Sequence, residues 1–173
     1  DRIVVKDGVQ RRLADSLEAQ SDLAGSRAVL ESAVRHAPGE GYLHGYLADV
    51  LWRQDERALS LEHLTRALRL DPGYEWAWGR LRDWSREAGR ADLVAEMARD
   101  LAKRRSGEVR SWMILSRALG PSDPEGALQA LARAEELEPR NVEIHDTRAW
   151  FLGEAGRFED AIRACFPPVW GEQ

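Results

Sequence analysis

Two nested rhythms of apolar and polar residues run along this chain. The shorter is helical. Ala77, Leu81, Trp84 and Ala88 recur three or four residues apart on one stripe, while Arg80, Asp83, Arg86 and Glu87 fill the rest of the same turns. That spacing predicts a helix through "EWAWGRLRDWSREAGR", a turn at Gly89, and a second helix through "ADLVAEMARDLAKRR". The same order returns in "VEIHDTRAWFLGEAGR" and "FEDAIRACF", which turn at Gly156. Only "RIVV" at residues 2–5 reads as extended. The longer rhythm has a period of 34: Pro38 and Pro72 stand 34 apart, each closing an apolar stretch ("LESAVRHAPG", "LTRALRLDPG"), as do Trp78 and Trp112. Pro139 closes a third such stretch, "LARAEELEPR". Aligned on these anchors, the chain divides into five predicted helix pairs, at 7–40, 41–74, 75–108, 109–141 and 142–168. The fourth is one residue short, in "GPSDPEG". Residues 1–6 read as a junction and 169–173 as a tail. The last helix must stop at Phe166-Pro167-Pro168, because proline cannot continue a helix. Small residues recur where helices must approach closely: Ala14, Ala48 and Ala149 in first helices, Ala33, Ala67 and Ala134 in second ones.

In "WGRL" and "WMIL", in the glycine before the second helix, in "ALQALARA" and in the closing proline, the sequence resembles the tetratricopeptide repeat family. The segment "HDTRAWFLGEAGRFEDAI" is similar to the bacterial form of the repeat, and the resemblance spans nearly the whole chain. It departs at Ser60, Ser106 and Arg148, where the family favours Ala, Pro and Leu. The resemblance implies an all-α, right-handed superhelix of five stacked helix pairs. Its concave groove, lined mainly by first helices, would bind a peptide or partner protein.

By that register, position four of each first helix packs into the second. Trp78 and Trp112 hold it in repeats three and four, His44 and His145 in repeats two and five. Trp76 points about 200° away from Trp78 and cannot share its core. It falls on groove position two, as Tyr42 does one repeat earlier. Exposure to the groove and packing on the neighbouring helix are both open readings for Trp76, while Trp84 reads as packing between repeats. The candidate partner-binding residues are Tyr42, Tyr46, Asp49, Trp52, Arg53, Trp76, Arg80 and Asp83 in repeats two and three, with Arg117 and Trp150 in four and five. Tryptophan, tyrosine and arginine are the types enriched in binding hot spots. Gly45 and Gly79 occupy equivalent mid-helix positions, leaving room either for a ligand backbone or for neighbouring rings. Asp15, Asp49 and Asp83 form a ladder that would attract basic or amide-rich segments, or pair with Arg12, Arg53, Arg80 and Arg86 on their own helices. Family members that clamp a C-terminal carboxylate use Asn at that position, so the ladder argues against such a clamp. Met113, Ile114 and Trp150 are expected to form an apolar contact patch beside Arg110.

Composition narrows the function classes. With 43% hydrophobic residues a core can be built, and a net charge of −5 with arginines beside the Asp ladder argues against nucleic acid. No apolar run reaches the ~18 residues that a membrane-spanning helix needs. The single cysteine, Cys165, rules out an internal disulfide and is expected to be buried packing. A reducing, cytoplasmic setting follows as an expectation. The start at Asp1 without methionine suggests a piece of a longer chain. No catalytic motif, metal-ligand set or cofactor-binding loop is present: the four histidines form no H-x3-H or H-E-x2-H pattern, and no G-x4-G-K-[ST] or G-x-G-x-x-G occurs. The expectation is therefore a non-enzymatic interaction scaffold without metal or cofactor. Its rivals are an accessory domain of a larger enzyme and a prenyltransferase α-subunit-like helical array. Self-association through a terminal repeat is a further possibility.

Overall fold

The computed structural model describes Arg12, Ala14, residues 22–120 and residues 122–166. Among the described residues every regular element is a helix, and successive helices are joined by short turns. Two compact units are present, residues 1–94 and residues 95–173.

The first unit carries α1 (Leu23–His36), α2 (Gly41–Arg53), α3 (Arg57–Leu70) and α4 (Glu75–Glu87), each packed on the next. The apolar stripes face inward: Leu30, Leu43, Leu47, Leu51, Leu64, Leu68 and Leu81 are almost fully buried. Ala33, Ala48 and Ala67 are sealed as well, at the close approaches expected of them. Helix α5 (Leu93–Arg104) begins with the last two residues of the first unit and continues in the second. There α6 (Val109–Leu119), α7 (Pro124–Leu137), α8 (Val142–Glu154) and α9 (Phe158–Cys165) follow. Its core holds Met97, Leu101, Met113, Leu115, Leu131, Ile144, Phe151 and Leu152.

The turns between first and second helices share one geometry. Gly89 and Gly156 adopt φ of 71° and 72°. The following N–H reaches back to close the helix end, Arg90 N to Ser85 O at 2.6 Å and Arg157 N to Leu152 O at 2.8 Å. In repeat two the same place is held by Asp55 at φ 64°, with Glu56 N donating to Leu51 O at 2.9 Å. Repeat four, lacking one residue, turns differently. Gly120 stays right-handed at φ −42°, and Leu119 O accepts from both Ser122 N and Asp123 N. A Cβ at Gly120 would lie 2.1 Å from the Phe151 ring, so glycine is needed there for space.

The three departures from the repeat pattern are each accommodated. Ser60, buried, donates its hydroxyl to Ala48 O at 2.7 Å. Ser106 supplies a carbonyl to the Trp112 indole N–H at 2.8 Å. Arg148 pairs with Glu135 across 2.6 Å.

Candidate functional site

Position four does more than pack. Trp78 Nε1 donates to Pro72 O at 3.0 Å, Trp112 Nε1 to Ser106 O at 2.8 Å, and His145 Nε2 lies 2.8 Å from Pro139 O. His44 Nε2 lies 3.3 Å from Pro38 O. In all four repeats a flat ring with a peripheral N–H ties its helix to the carbonyl six residues earlier, across the turn between repeats. Trp78, His44 and His145 are buried in this role, whereas Trp112 is only half-buried. It forms part of the floor of a cleft of about 590 Å³, with Arg133 above its ring.

With Trp78 committed to the core, Trp76 is the free partner of the pair. The surface it joins belongs to α2 and α4 in the first unit. Trp52 and Trp84 stack with ring centroids 4.7 Å apart and planes 4° from parallel. Trp76 meets the edge of Trp84 at 6.2 Å and stacks on Tyr74 at 5.5 Å. The Arg80 guanidinium lies 5.5 Å above Trp76 and 5.7 Å from Trp84, and Arg57 caps Trp52 at 5.1 Å. On the first turns of α2, Tyr42 and Tyr46 meet edge to face at 6.4 Å. Such contacts contribute about 0.5–1.5 kcal/mol per aromatic pair and roughly 0.5–1 kcal/mol per exposed cation–π contact. They hold otherwise mobile side chains in one arrangement. Tyr42, Tyr46, Trp52, Tyr74 and Trp76 are all half-buried, so both readings of Trp76 have a part in its position: it packs on Trp84 and stays open to solvent.

The mid-helix glycines divide. A Cβ on Gly45 would lie 2.6 Å from Cε1 of Tyr74 and 2.9 Å from its hydroxyl, so this glycine makes room for an aromatic ring. A Cβ on Gly79 would meet nothing within 4 Å. Of the Asp ladder, Asp15 lies outside the described residues; Asp49 is half-buried and Asp83 exposed. Neither of these two carboxylates forms an ion pair among the described residues. Arg80 stacks on tryptophan rather than bridging to the ladder.

The sequence reading missed two members of the cluster. Tyr74 is the residue before α4, and Arg57 opens α3; neither lies on a first helix, where the repeat register places the groove. Their signal was proximity in sequence, Tyr74 two residues before Trp76 and Arg57 five after Trp52. Arg117 and Trp150 lie in the second unit, where Arg117 is paired with Glu143 on α8 and Trp150 stands out from α8. The expected Met113–Ile114–Trp150 patch does not form as such. Met113 is core, at 4% exposed, on the side of α6 that also buries Ser116 one turn on, and only Trp150 is strongly exposed. Cys165 is exposed as well, contrary to expectation, since the short α9 turns Ala164 inward instead.

A second polar cluster lies inside the first unit. His44 Nδ1 and His63 Nδ1 are 2.9 Å apart. With the His44 Nε2 proton given to Pro38 O, its Nδ1 accepts from His63 Nδ1–H, so one N–H bridges two neutral rings. Burial pushes both imidazoles below their ordinary value. For His44, the Pro38 carbonyl opposes this and Arg66 adds to it; for His63, His44 and Arg27 add to it while Glu62 and Glu31 oppose it.

No protein-family model matches the chain, and no curated protein matches it by sequence. Solved structures do match its fold. MamA residues 41 to the end, from Desulfovibrio magneticus RS-1, superposes with TM-score 0.52 at 14% identity, covering 92% of this chain and 90% of that one. A crystal structure of MamA gives 0.52 at 11% identity, over 91% and 87%. YrrB, a TPR protein with an unusual peptide-binding site, gives 0.50 at 12% identity, over 87% and 78%. The chain therefore has a tetratricopeptide-like, all-helical solenoid fold.

Proposed function

We propose that this chain is a protein-interaction module whose α2–α4 face takes a peptide or a segment of a partner protein. The observation that carries this reading is the connected cluster of Tyr74, Trp76, Trp52 and Arg80, held against the buried Trp84 ring yet still open to solvent. Rings already held by one another lose little freedom when a ligand arrives, so more of the contact energy is left for binding. Trp76, Trp52, Tyr42 and Tyr46 supply apolar area, and Arg80 offers its outer edge to a carbonyl or carboxylate. Asp49, Arg53 and Asp83 set the charge of the rim and favour a partner segment with basic or amide groups. Arg117 and Trp150 would add contacts of their own in the second unit. The peptide-binding site of YrrB, which shares the fold, is in keeping with this use of the scaffold. No helix of the described residues is long and apolar enough to cross a membrane, in keeping with a partner met in water.

The test is affinity capture from native lysate, with the wild-type chain beside a Trp76→Ala, Arg80→Glu variant of equal helicity and equal thermal midpoint. Partners bound by the wild type and lost by the variant support the site. In a titration of the purified partner, the variant should bind about tenfold or more weakly, as removal of hot-spot residues does. Identical partner lists and equal affinities would remove the site.

A further inference from the structure

In repeat two the ring at position four meets a side chain of its own second helix. His44 Nδ1 lies 2.9 Å from Nδ1 of His63, 19 residues on. The same place is Met97 in repeat three, where Met97 is 3% exposed and the ring, Trp78, 6%. In repeat four it comes one residue sooner, after the shortened turn, and is Ala130. There a methyl stands where the earlier repeats have a large side chain. Leu93 of repeat three likewise gives way to Gly126, which must stay glycine because a Cβ would lie 2.3 Å from the Asp123 carboxylate. Repeat five has alanine at this place too, Ala164, but its ring is the smaller imidazole of His145, which is fully buried. Only in repeat four does a large ring face a small neighbour. Trp112 is left half-buried in a cleft of about 590 Å³, with Leu115, Leu119 and Ala130 among its apolar walls. That volume lies within the ~300–1,000 Å³ typical of ligand sites.

Three charged side chains line the cleft. Asp123 is engaged as the cap of α7, accepting from Gly126 N at 2.9 Å. Arg133 lies 5.8 Å from the Trp112 ring centre and is held by Glu136 on its own helix. Arg99, exposed on α5, has no ion-pair partner among the described residues. One uncompensated positive charge therefore stands beside an aromatic floor, in a chain whose net charge is −5. Arg99, Gln129, Ala132 and Arg133 are all exposed, so the cleft opens to the surface and lets a chain enter and leave.

We propose that this cleft is a docking site for a segment of a partner protein that lays one aromatic or large aliphatic side chain against Trp112 and sets a neighbouring carboxylate against Arg99. The inserted side chain fills the space that a large side chain fills in repeats two and three. The carboxylate gains a charge-assisted pair with the Arg99 guanidinium, whereas a basic segment would meet Arg99 and Arg133 as like charges. The cleft lies within the second unit and does not rest on the function proposed for the α2–α4 face.

The test is a titration of the 173-residue chain with the peptides Glu-Phe-Glu, Glu-Ala-Glu and Lys-Phe-Lys, each blocked at both ends. Binding is followed through the indole N–H signals by NMR, with the Trp112 signal assigned by its loss in Trp112→Phe. The expected result is a saturable shift of the Trp112 signal by Glu-Phe-Glu, with the Trp76 signal unmoved and the other two peptides about tenfold or more weaker. Ala130→Met restores the side chain of repeat three and should abolish the shift while the thermal midpoint holds or rises, because it fills empty space. Arg99→Glu, at an exposed position, should weaken Glu-Phe-Glu about tenfold or more and remove the discrimination against Lys-Phe-Lys. An unmoved Trp112 signal, equal binding of the three peptides, or a shift that survives both substitutions would overturn the proposal. A shift of the Trp76 signal in place of that of Trp112 would assign the peptide to the α2–α4 face instead. The control is 3-phenylpropionate, a ring and a carboxylate without a chain. If it bound as tightly as Glu-Phe-Glu, the cleft would be a site for small carboxylates and the assignment to a protein segment would fall.

Discussion

Gly45 and Gly79 hold equivalent places in successive helices, and their surroundings give them opposite roles. Alanine is about 1 kcal/mol better than glycine inside a helix. Gly79→Ala meets open space, so it should raise the stability of the chain by about that amount in urea melts. Gly45→Ala would drive a methyl into Tyr74, so it should lower stability and disturb the Tyr74–Trp76 stack, read by near-ultraviolet circular dichroism. Stabilisation by both substitutions would show that Tyr74 does not lie on Gly45. His44 and His63 give a pH dependence whose sign follows from the burial that lowers both imidazoles. The folded chain keeps both imidazoles neutral more strongly than the unfolded chain does, so the unfolded state binds more protons in acid. Their contribution to stability is therefore complete above the ordinary imidazole value of 6.5 and is lost as pH falls past it. The thermal midpoint should drop on acidification through that range, and His63→Gln should flatten the drop. An unchanged slope in the variant would exclude the pair as its source.

At the scale of elements, turns and caps account for where the helices stop. Gly89 and Gly156 were legible as turn residues because glycine is the usual occupant of a left-handed helix end. Asp55 adopts the same conformation without that signal, and aspartate is one of the few other residues that tolerate it. Gly89→Ala should cost about 1–2 kcal/mol, the penalty of a Cβ at positive φ. Asp55→Gly should be neutral or stabilising, although it removes the Arg57 contact at 2.7 Å. A loss of more than about 1 kcal/mol at Asp55→Gly would mean that its side chain, and not its backbone, sets the turn. Helix α7 starts at an Asp123 cap that accepts from Gly126 N at 2.9 Å, with Pro124 in the first turn. Asp123→Ala should cost about 1 kcal/mol. The position-four clamp was half legible: its residues and spacing are plain in the sequence, but the carbonyl each reaches appears only once the turn before it is folded.

At the scale of the whole molecule, α1 to α4 in the first unit and α6 to α9 in the second each pack on their neighbours in sequence, as a solenoid requires. Damage should therefore spread from neighbour to neighbour. Leu131→Ala, at a fully buried site on α7, should cost about 2–5 kcal/mol. Its loss of hydrogen-exchange protection should appear first on α6, α7 and α8. Uniform loss along the chain would show a single cooperative block instead.

The helix pattern, the turns at Gly89 and Gly156 and the tetratricopeptide-like fold were all readable from residues a few places apart, because helix periodicity and repeat register are local. The same reasoning separated Trp78 from Trp76, since two residues two places apart on a helix cannot face one core. Which rings meet was settled by tertiary structure. Trp52 stacks on Trp84 across 32 positions, Tyr74 covers Gly45, Arg80 turns to tryptophan rather than to Asp83, and Met113 goes inward while Cys165 goes outward. Those outcomes depend on how one helix lies against the next, and a periodic pattern says only which stripe faces inward, not which atoms it will touch.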